Sequence, residues 1–191
     1  MKHWLAAVFC LFLAMIAPAI AAALVAEPGM LLVARESLPD VRFREAVVLV
    51  VQNGPQGSAG LILNRPSRLA LAEALPELPR NAGRDASLSY GGPVAPRSFM
   101  ALVKAGNNPP DPAQKILDNI YLTGAEQLAA WLEQGQPEAV FRVFAGYAGW
   151  APGQLAGEVA RGDWLVFPAD ETFLFAVDAA GQWDSLTPRR Q

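Results

Sequence analysis

The sequence has one cysteine, Cys10, and one histidine, His3, both within the first ten residues. Cys10 lies inside an unbroken apolar run and reads as a small hydrophobe. The chain beyond it has no thiol for a disulfide, a nucleophile or a cysteine metal site. Without imidazole, the same stretch lacks the parts of Ser-His-Asp and Cys-His hydrolases and of most zinc enzymes. No cofactor, no metal and no catalytic residue is therefore expected. Lysine is scarce as well: beyond Lys2 only Lys104 and Lys115 occur, against twelve arginines. Neither stands in an S-x-x-K setting, which sets aside a Ser-Lys mechanism. Charged residues make up 17% of the chain and the formal charge is −3, or −4 once Lys2 is removed. That mildly acidic balance lacks the footprint of a nucleic-acid binder. Arg42 with Arg44, and Arg65 with Arg68, form local pairs that suit an anion, although such pairs are more often solvated surface.

Charge is absent altogether from Trp4 to Ala26. Lys2 and His3 form a short basic start, "WLAAVFCLFLAMI" is the apolar centre, and "APAIAAA" supplies small residues at A-x-A spacing. Together they read as a secretory signal peptide over residues 1–23, cut after Ala21 or Ala23, with a domain over 24–191. The protein is then periplasmic or secreted, with nucleic acid out of reach. The alternative is an uncleaved inner-membrane anchor over residues 4–26, since roughly 20 apolar residues span a bilayer. Pro18 beside the A-x-A triplets favours cleavage, and both readings place the domain outside the cytoplasm. Membrane contact is expected only through that segment.

What is present is a packed core: 52% of residues are hydrophobic, typical of a globular domain. "GMLLVA" (Gly29 to Ala34) and "AVVLVV" (Ala46 to Val51) read as buried strands, and "SAGLIL" (Ser58 to Leu63) returns through "QNGPQG" as a hairpin. Asn-Arg-Pro then stops the strand, Ser67 suits a cap, and a short helix is expected over Leu69 to Leu75. "SLSYGGPV", "FMALVKA" and "NIYLTG" continue as strands. "AEQLAAWLEQG" places Leu128, Trp131 and Leu132 on one helix face ending at Gly135. "AVFRVFAGYAG" (Ala139 to Gly149) is strand-like, "PGQLAGEVARG" (Pro152 to Gly162) is helix-like with Leu155 and Val159 on one face, and "WLVFPA" is another strand. "TFLFAV" and "QWDSL" carry apolar residues without a decisive period. Strands outnumber helices without strict alternation, so the expected class is α+β.

Three turns carry the candidate chemistry. In "LNRPS", Asn64 and Arg65 sit at a strand end, where Arg65 suits a carboxylate or phosphate. The plainer reading has Asn64 holding the turn through its own side chain. In "YGGPV", Gly91 and Gly92 could present backbone N–H groups to an anion, but no Lys-Ser/Thr follows, and a structural turn is the simpler reading. In "GYAGWAPGQLAGEV", strand, glycine turn and helix start can wall a pocket with Tyr147 and Trp150. Gln154 and Glu158, at i and i+4, would face one cleft. The competing reading packs both rings into the core and leaves Gln154 to cap backbone groups. Asn64, Arg65, Gly91, Gly92, Tyr147, Trp150, Gln154 and Glu158 are thus the candidate ligand-binding residues, for an unidentified small molecule or protein.

In this order, "GMLLVA", "VVLVVQNGPQGSAGLILNRP", "GGPV", "RVFAGYAGWAPGQLAGEV" and "WLVFPADETFLF" resemble the AlgH/YqgE family of bacterial proteins over Gly29 to about Trp183. The resemblance implies an α+β fold: a mixed, bifurcated sheet that includes a small closed barrel, with helices around it. Members are often labelled transcriptional regulators, and no established reaction or ligand comes with the label. The chain departs from the family pattern where His is frequent after the second strand (here Asn53), and where Glu often follows Gly-Gln-Leu (here Ala156). "SFMALV" likewise replaces a segment commonly ending in His, and an exported N-terminus is unusual for the family. The expectation is an exported, non-catalytic binding or regulatory module. The alternatives are a hydrolase using Glu158 or an aspartate as base, and a purely structural or interaction domain.

Overall fold

The computed structural model describes residues 26–79, 88–136, 139–176, 179 and 181–187. The signal-peptide or anchor segment expected over residues 1–23 lies outside them. Among the described residues no helix is long and apolar enough to cross a membrane.

Nine strands form one sheet among the described residues: β1 (Met30–Ala34), β2 (Val47–Gly54), β3 (Gly57–Ile62), β4 (Leu88–Tyr90), β5 (Val94–Lys104), β6 (Gln114–Leu117), β7 (Ile120–Gly124), β8 (Val140–Trp150) and β9 (Trp164–Pro168). Five short helices accompany them: α1 (Leu71–Ala74), α2 (Ala125–Glu133), α3 (Gln154–Ala160), α4 (Glu171–Leu174) and α5 (Gln182–Leu186). The class is α+β. The strand path is β6-β7-β5-β8-β3-β2-β1-β9, with β4 branching off β8. All pairings are antiparallel except β4 with β8, so the sheet is mixed and branches at β8.

The Val47–Val51 part of β2 is apolar throughout because both faces of the sheet are covered there. Val47, Leu49 and Val51 enter one core with Leu61, Leu102, Ile120 and Phe144. Val48 and Val50 enter a second core with Leu32, Ile62, Trp150, Leu155 and Trp164. Alternation thus survives as a choice between two cores rather than between core and water. A third cluster joins Leu128, Trp131 and Leu132 of α2 to Val103 of β5 and Phe141 of β8, the apolar face expected from their spacing. Each fully buried side chain of this kind contributes about 1.5–3 kcal/mol.

The closed barrel portion expected from the family resemblance is not formed, since the strand path stays open between β6 and β9. The sheet nevertheless curls far enough to bring β6 against the start of β1. A Cβ on Gly29 would lie 2.9 Å from Leu117 Cδ2 and 3.2 Å from the Ile116 carbonyl. The ladder between β1 and β2 reaches only to Leu49, and β2 bulges between Val50 and Gln52, which bends a strand and breaks its regular pairing. A side chain bridges the gap instead: Gln114 Nε2 donates to the Val51 carbonyl at 2.7 Å.

Three details differ from the sequence reading. Helix α1 spans four residues, shorter than Leu69 to Leu75, because Ser67 Oγ accepts from Leu69 N in a turn and leaves Ala70 at the N-cap without a side-chain bond. "QKIL" forms the edge strand β6, and "ETFL" and "QWDSL" supply α4 and α5.

Candidate functional site

The candidate residues divide among three places. Asn64 Oδ1 accepts from Val47 N at 2.9 Å, and its Nδ2 donates to the Glu45 carbonyl at 2.7 Å. It thereby satisfies the backbone where Glu45 takes a positive φ of 55° ahead of β2. Arg65 Nη2 donates to the Arg44 carbonyl at 2.9 Å. Neither residue lines the two cavities described below.

Gly91 and Gly92 are buried, and β8 explains why both lack a side chain. A Cβ on Gly91 would meet the Gly146 carbonyl oxygen at 2.2 Å, and one on Gly92 would meet Tyr147 C at 2.2 Å. Gly91 N donates to the Ala145 carbonyl at 2.8 Å, and its own carbonyl accepts from Ile62 N at 2.9 Å. Gly91 thus knits the branch point of the sheet, and its backbone N–H is turned to that task.

Trp150, Gln154 and Glu158 do converge. The Glu158 carboxylate accepts from the indole nitrogens of Trp150 and Trp164, both at 2.9 Å on Oε2. Its Oε1 accepts from Gln154 Nε2 at 2.8 Å, while Gln154 Oε1 accepts from Ala151 N at 3.1 Å. Phe43 completes the cluster, stacking on Trp150 with centroids 5.9 Å apart and meeting Trp164 edge-on at 5.7 Å. The i, i+4 spacing puts the amide and the carboxylate on one side of α3, and Leu155 next to them anchors the helix in the core that holds Trp150 and Trp164. A cavity of about 120 Å³ adjoins the cluster, its mouth flanked by the ion pairs Asp40–Arg42 and Asp163–Arg161. The Arg42 guanidinium holds the Asp40 carboxyl below its ordinary range. Three donors already occupy Glu158, which leaves little of its roughly four acceptor positions for proton abstraction.

Tyr147 faces elsewhere. Six consecutive strands of the curled sheet, β6-β7-β5-β8-β3-β2, enclose an open mouth of about 500 Å³. Ala59, Met100 and Leu122 form its apolar floor, and Gln52, Gln56 and Gln114 stand among its polar lining. The Tyr147 ring lies beside Gly149, where a Cβ would sit 3.4 Å from its Cε2. Among the described residues nothing hydrogen-bonds the Tyr147 hydroxyl, and no charged side chain lines this mouth. Trp150 borders both cavities. The mouth exists because β5 leaves β8 between Val94 and Phe99, a four-residue excursion starting with Ala95 at φ 46°.

One buried charge had no counterpart in the sequence reading. Arg142 on β8 is 6% exposed. Its Nη1 donates to the Leu174 carbonyl at 2.7 Å and its Nη2 to the Leu63 carbonyl at 2.6 Å. The guanidinium also lies over the Phe144 ring, 5.2 Å from its centroid. Burial pulls its pKa down to about 10, so it remains charged at neutral pH. The signal was present in "VFRVF", a cation in the middle of a strand buried on both faces. Among the described residues no group of three or more His, Cys, Asp or Glu side chains is placed to hold a metal.

The fold and the two cavities described define an α+β protein with a branched, curled sheet, a carboxylate locked by two indoles and a ligand-sized mouth. The chain belongs to the AlgH-like family, whose model matches residues 31–190. A UPF0301 protein of Thermobifida fusca is 36% identical over 170 residues, covering 85% of this chain and 86% of the relative. A UPF0301 protein of Xylella fastidiosa is 34% identical over 166 residues, covering 84% and 87%. A crystal structure of a Corynebacterium diphtheriae protein is similar with a TM-score of 0.71 at 30% identity, over 85% of this chain and 87% of that one. The solution structure of the AlgH protein of Pseudomonas aeruginosa is similar with a TM-score of 0.64 at 28% identity, over 84% and 89%.

Proposed function

We propose that this chain is an exported, non-catalytic binding module whose ligand seats in the mouth enclosed by β6-β7-β5-β8-β3-β2. The observation that carries the reading is the mouth itself, about 500 Å³ with an apolar floor and a rim of side-chain amides and a phenol. Small-molecule sites occupy roughly 300–1,000 Å³, are mostly apolar with a few placed polar groups, and favour the mouths of barrel-like sheets. Amides and hydroxyls recognise a ligand by hydrogen bonds, whereas acid–base chemistry calls on groups that gain and lose protons near neutrality. Export rests on the basic start, the apolar run Trp4 to Ile16 and the A-x-A triplets.

Native mass spectrometry of the protein purified from its own host tests the binding. The expected result is a retained small molecule that is missing from Ala59→Phe, whose ring fills the floor. Wild-type protein with nothing bound, or equal retention by the variant, overturns the reading. Cell fractionation with N-terminal sequencing tests export: a mature N-terminus after Ala21 or Ala23 outside the cytoplasm is expected, and cytoplasmic protein beginning at Met1 refutes it.

A further inference from the structure

We infer that the mouth takes a neutral, polyhydroxylated ligand of about disaccharide size, an inference that rests on the binding reading above. Charge is the first criterion. The lining carries no carboxylate, ammonium or guanidinium among the described residues, so an ion seated there would give up part of its hydration and gain no charged partner. Anions and cations are therefore disfavoured. A purely apolar ligand fails for the opposite reason. It would leave the half-buried Tyr147 hydroxyl without a ligand partner and make no use of the exposed Gln52, Gln56 and Gln114 amides around it.

Donor and acceptor supply narrows the class. A glutamine amide and a phenol each donate and accept, and a sugar hydroxyl does both from one atom. The floor of Ala59, Met100 and Leu122 suits the C–H face of a pyranose ring, and the Tyr147 ring offers an aromatic wall with a polar tip. One amide is already oriented. Gln114 spends its Nε2 on the Val51 carbonyl at 2.7 Å, which fixes the side chain and leaves its oxygen as an acceptor.

An extended peptide suits the site less well. Peptide strands add to an open sheet edge through main-chain bonds, and the mouth is the concave face of paired strands. Gln52 stands opposite Ala59, Ala59 opposite Gly149, Val94 opposite Tyr147, and Gln114 opposite Leu122. Recognition there must come from side chains.

Isothermal titration with cellobiose, maltose and N,N′-diacetylchitobiose, against cellobiouronic acid and lauric acid, tests the class. At least one neutral disaccharide should bind wild-type protein. The same sugar should bind Tyr147→Phe about 3- to 10-fold more weakly, the loss of one hydrogen bond, and Ala59→Phe not at all. Tyr147→Phe removes one oxygen that makes no intramolecular bond, so it keeps the test valid if Ala59→Phe fails to fold. The charged sugar should bind at least about tenfold more weakly than its neutral counterpart. Preferential, Ala59→Phe-sensitive binding of the uronic or fatty acid would leave a binding mouth standing and overturn the ligand class. Absence of heat with all three neutral sugars also overturns the class. The binding reading itself falls only if native protein retains nothing that Ala59→Phe loses.

Discussion

Replacing Glu158 by alanine removes the acceptor that joins β8, β9 and α3, and the structure sets the size of the loss. Trp150 and Trp164 are 5% and 3% exposed, and each would lose the acceptor of its indole N–H. A buried donor left without a partner costs about 1–3 kcal/mol, and the exposed Gln154 bond adds roughly 0.5–1 kcal/mol. The adjoining cavity of about 120 Å³ is large enough to admit water to the vacated site, which favours the lower half of that range. The expected loss is about 2.5–5 kcal/mol for Glu158→Ala. For a chain of this length that lowers the melting temperature by about 5–20 °C. Glu158→Gln keeps one oxygen acceptor but loses the charge assistance that roughly doubles such bonds, so it should fall between the two, about 1–2 kcal/mol down. Thermal unfolding followed by tryptophan fluorescence reads both variants, and exposure of the two indoles should shift native-state emission to the red. An alanine variant melting within about 2 °C of wild type would refute the lock. So would a glutamine variant as unstable as the alanine one.

Gly91→Ala should cost more than the about 1–3 kcal/mol usual for overpacking, because its Cβ would stand 2.2 Å from the Gly146 carbonyl. Its backbone is pinned on both sides, so urea unfolding should show a large fall in midpoint or no folded protein. Arg142→Ala should cost about 3–5 kcal/mol, like other broken buried-charge networks, and Arg142→Met distinctly less. Because burial depresses the Arg142 pKa to about 10, the native state releases this proton before the unfolded state does. Its contribution to stability therefore rises only above about pH 10. The difference between Arg142→Met and wild type should accordingly be flat from about pH 6 to 9, as urea midpoints across that range would show. The Asp40 pKa is lowered below 3.8, chiefly by its side-chain hydrogen bond to Arg42. Its stabilisation is thus present above that value and lost as pH falls through the folded pKa. Any advantage of wild type over Asp40→Asn at neutral pH should disappear in acid melts.

Much of the fold was legible because it is written locally. Leu128, Trp131 and Leu132 repeat at helical spacing and form the buried face of α2. "VVLVV" announces a strand covered on both sides, and "QNGPQG" closes its hairpin. The strand β6 was not legible. "QKIL" has no period of its own and is a strand because Gln114 and Lys115 pair with Leu122 and Tyr121. The family resemblance carried a closed barrel, and the strand path instead stays open between β6 and β9, a long-range pairing that no local pattern marks. The mouth was the least legible feature. Its polar lining combines Gln52, Gln56, Gln114 and Tyr147 from separated segments, and only Tyr147 stood out in a motif. Three glutamines in turns and strand ends read as solvated surface, and they are exposed; only the curl of the sheet sets them around one space.

The motif "GYAGWAPGQLAGEV" therefore serves the site in a different way from a ligand loop. Along β8, Ala148 and Trp150 enter the core shared with α3, while Tyr147 packs on the opposite core. Glycines at 146 and 149 let neighbouring backbone and the Tyr147 ring approach closely. Glu158 then fastens the far side by holding Trp150 and Trp164 together. Such a lock fixes the wall on which Tyr147 stands, with Trp150 reaching from the lock to the border of the mouth. The rim amides, by contrast, come from Gln52, Gln56 and Gln114, which lie outside the motif, and Tyr147 is the motif's own polar group at the rim. The Glu158 carboxylate and the rim amides thus do separate jobs. Glu158→Gln should lower the melting temperature while leaving the ranking of ligands unchanged, and Gln56→Ala, in an exposed turn, should do the reverse.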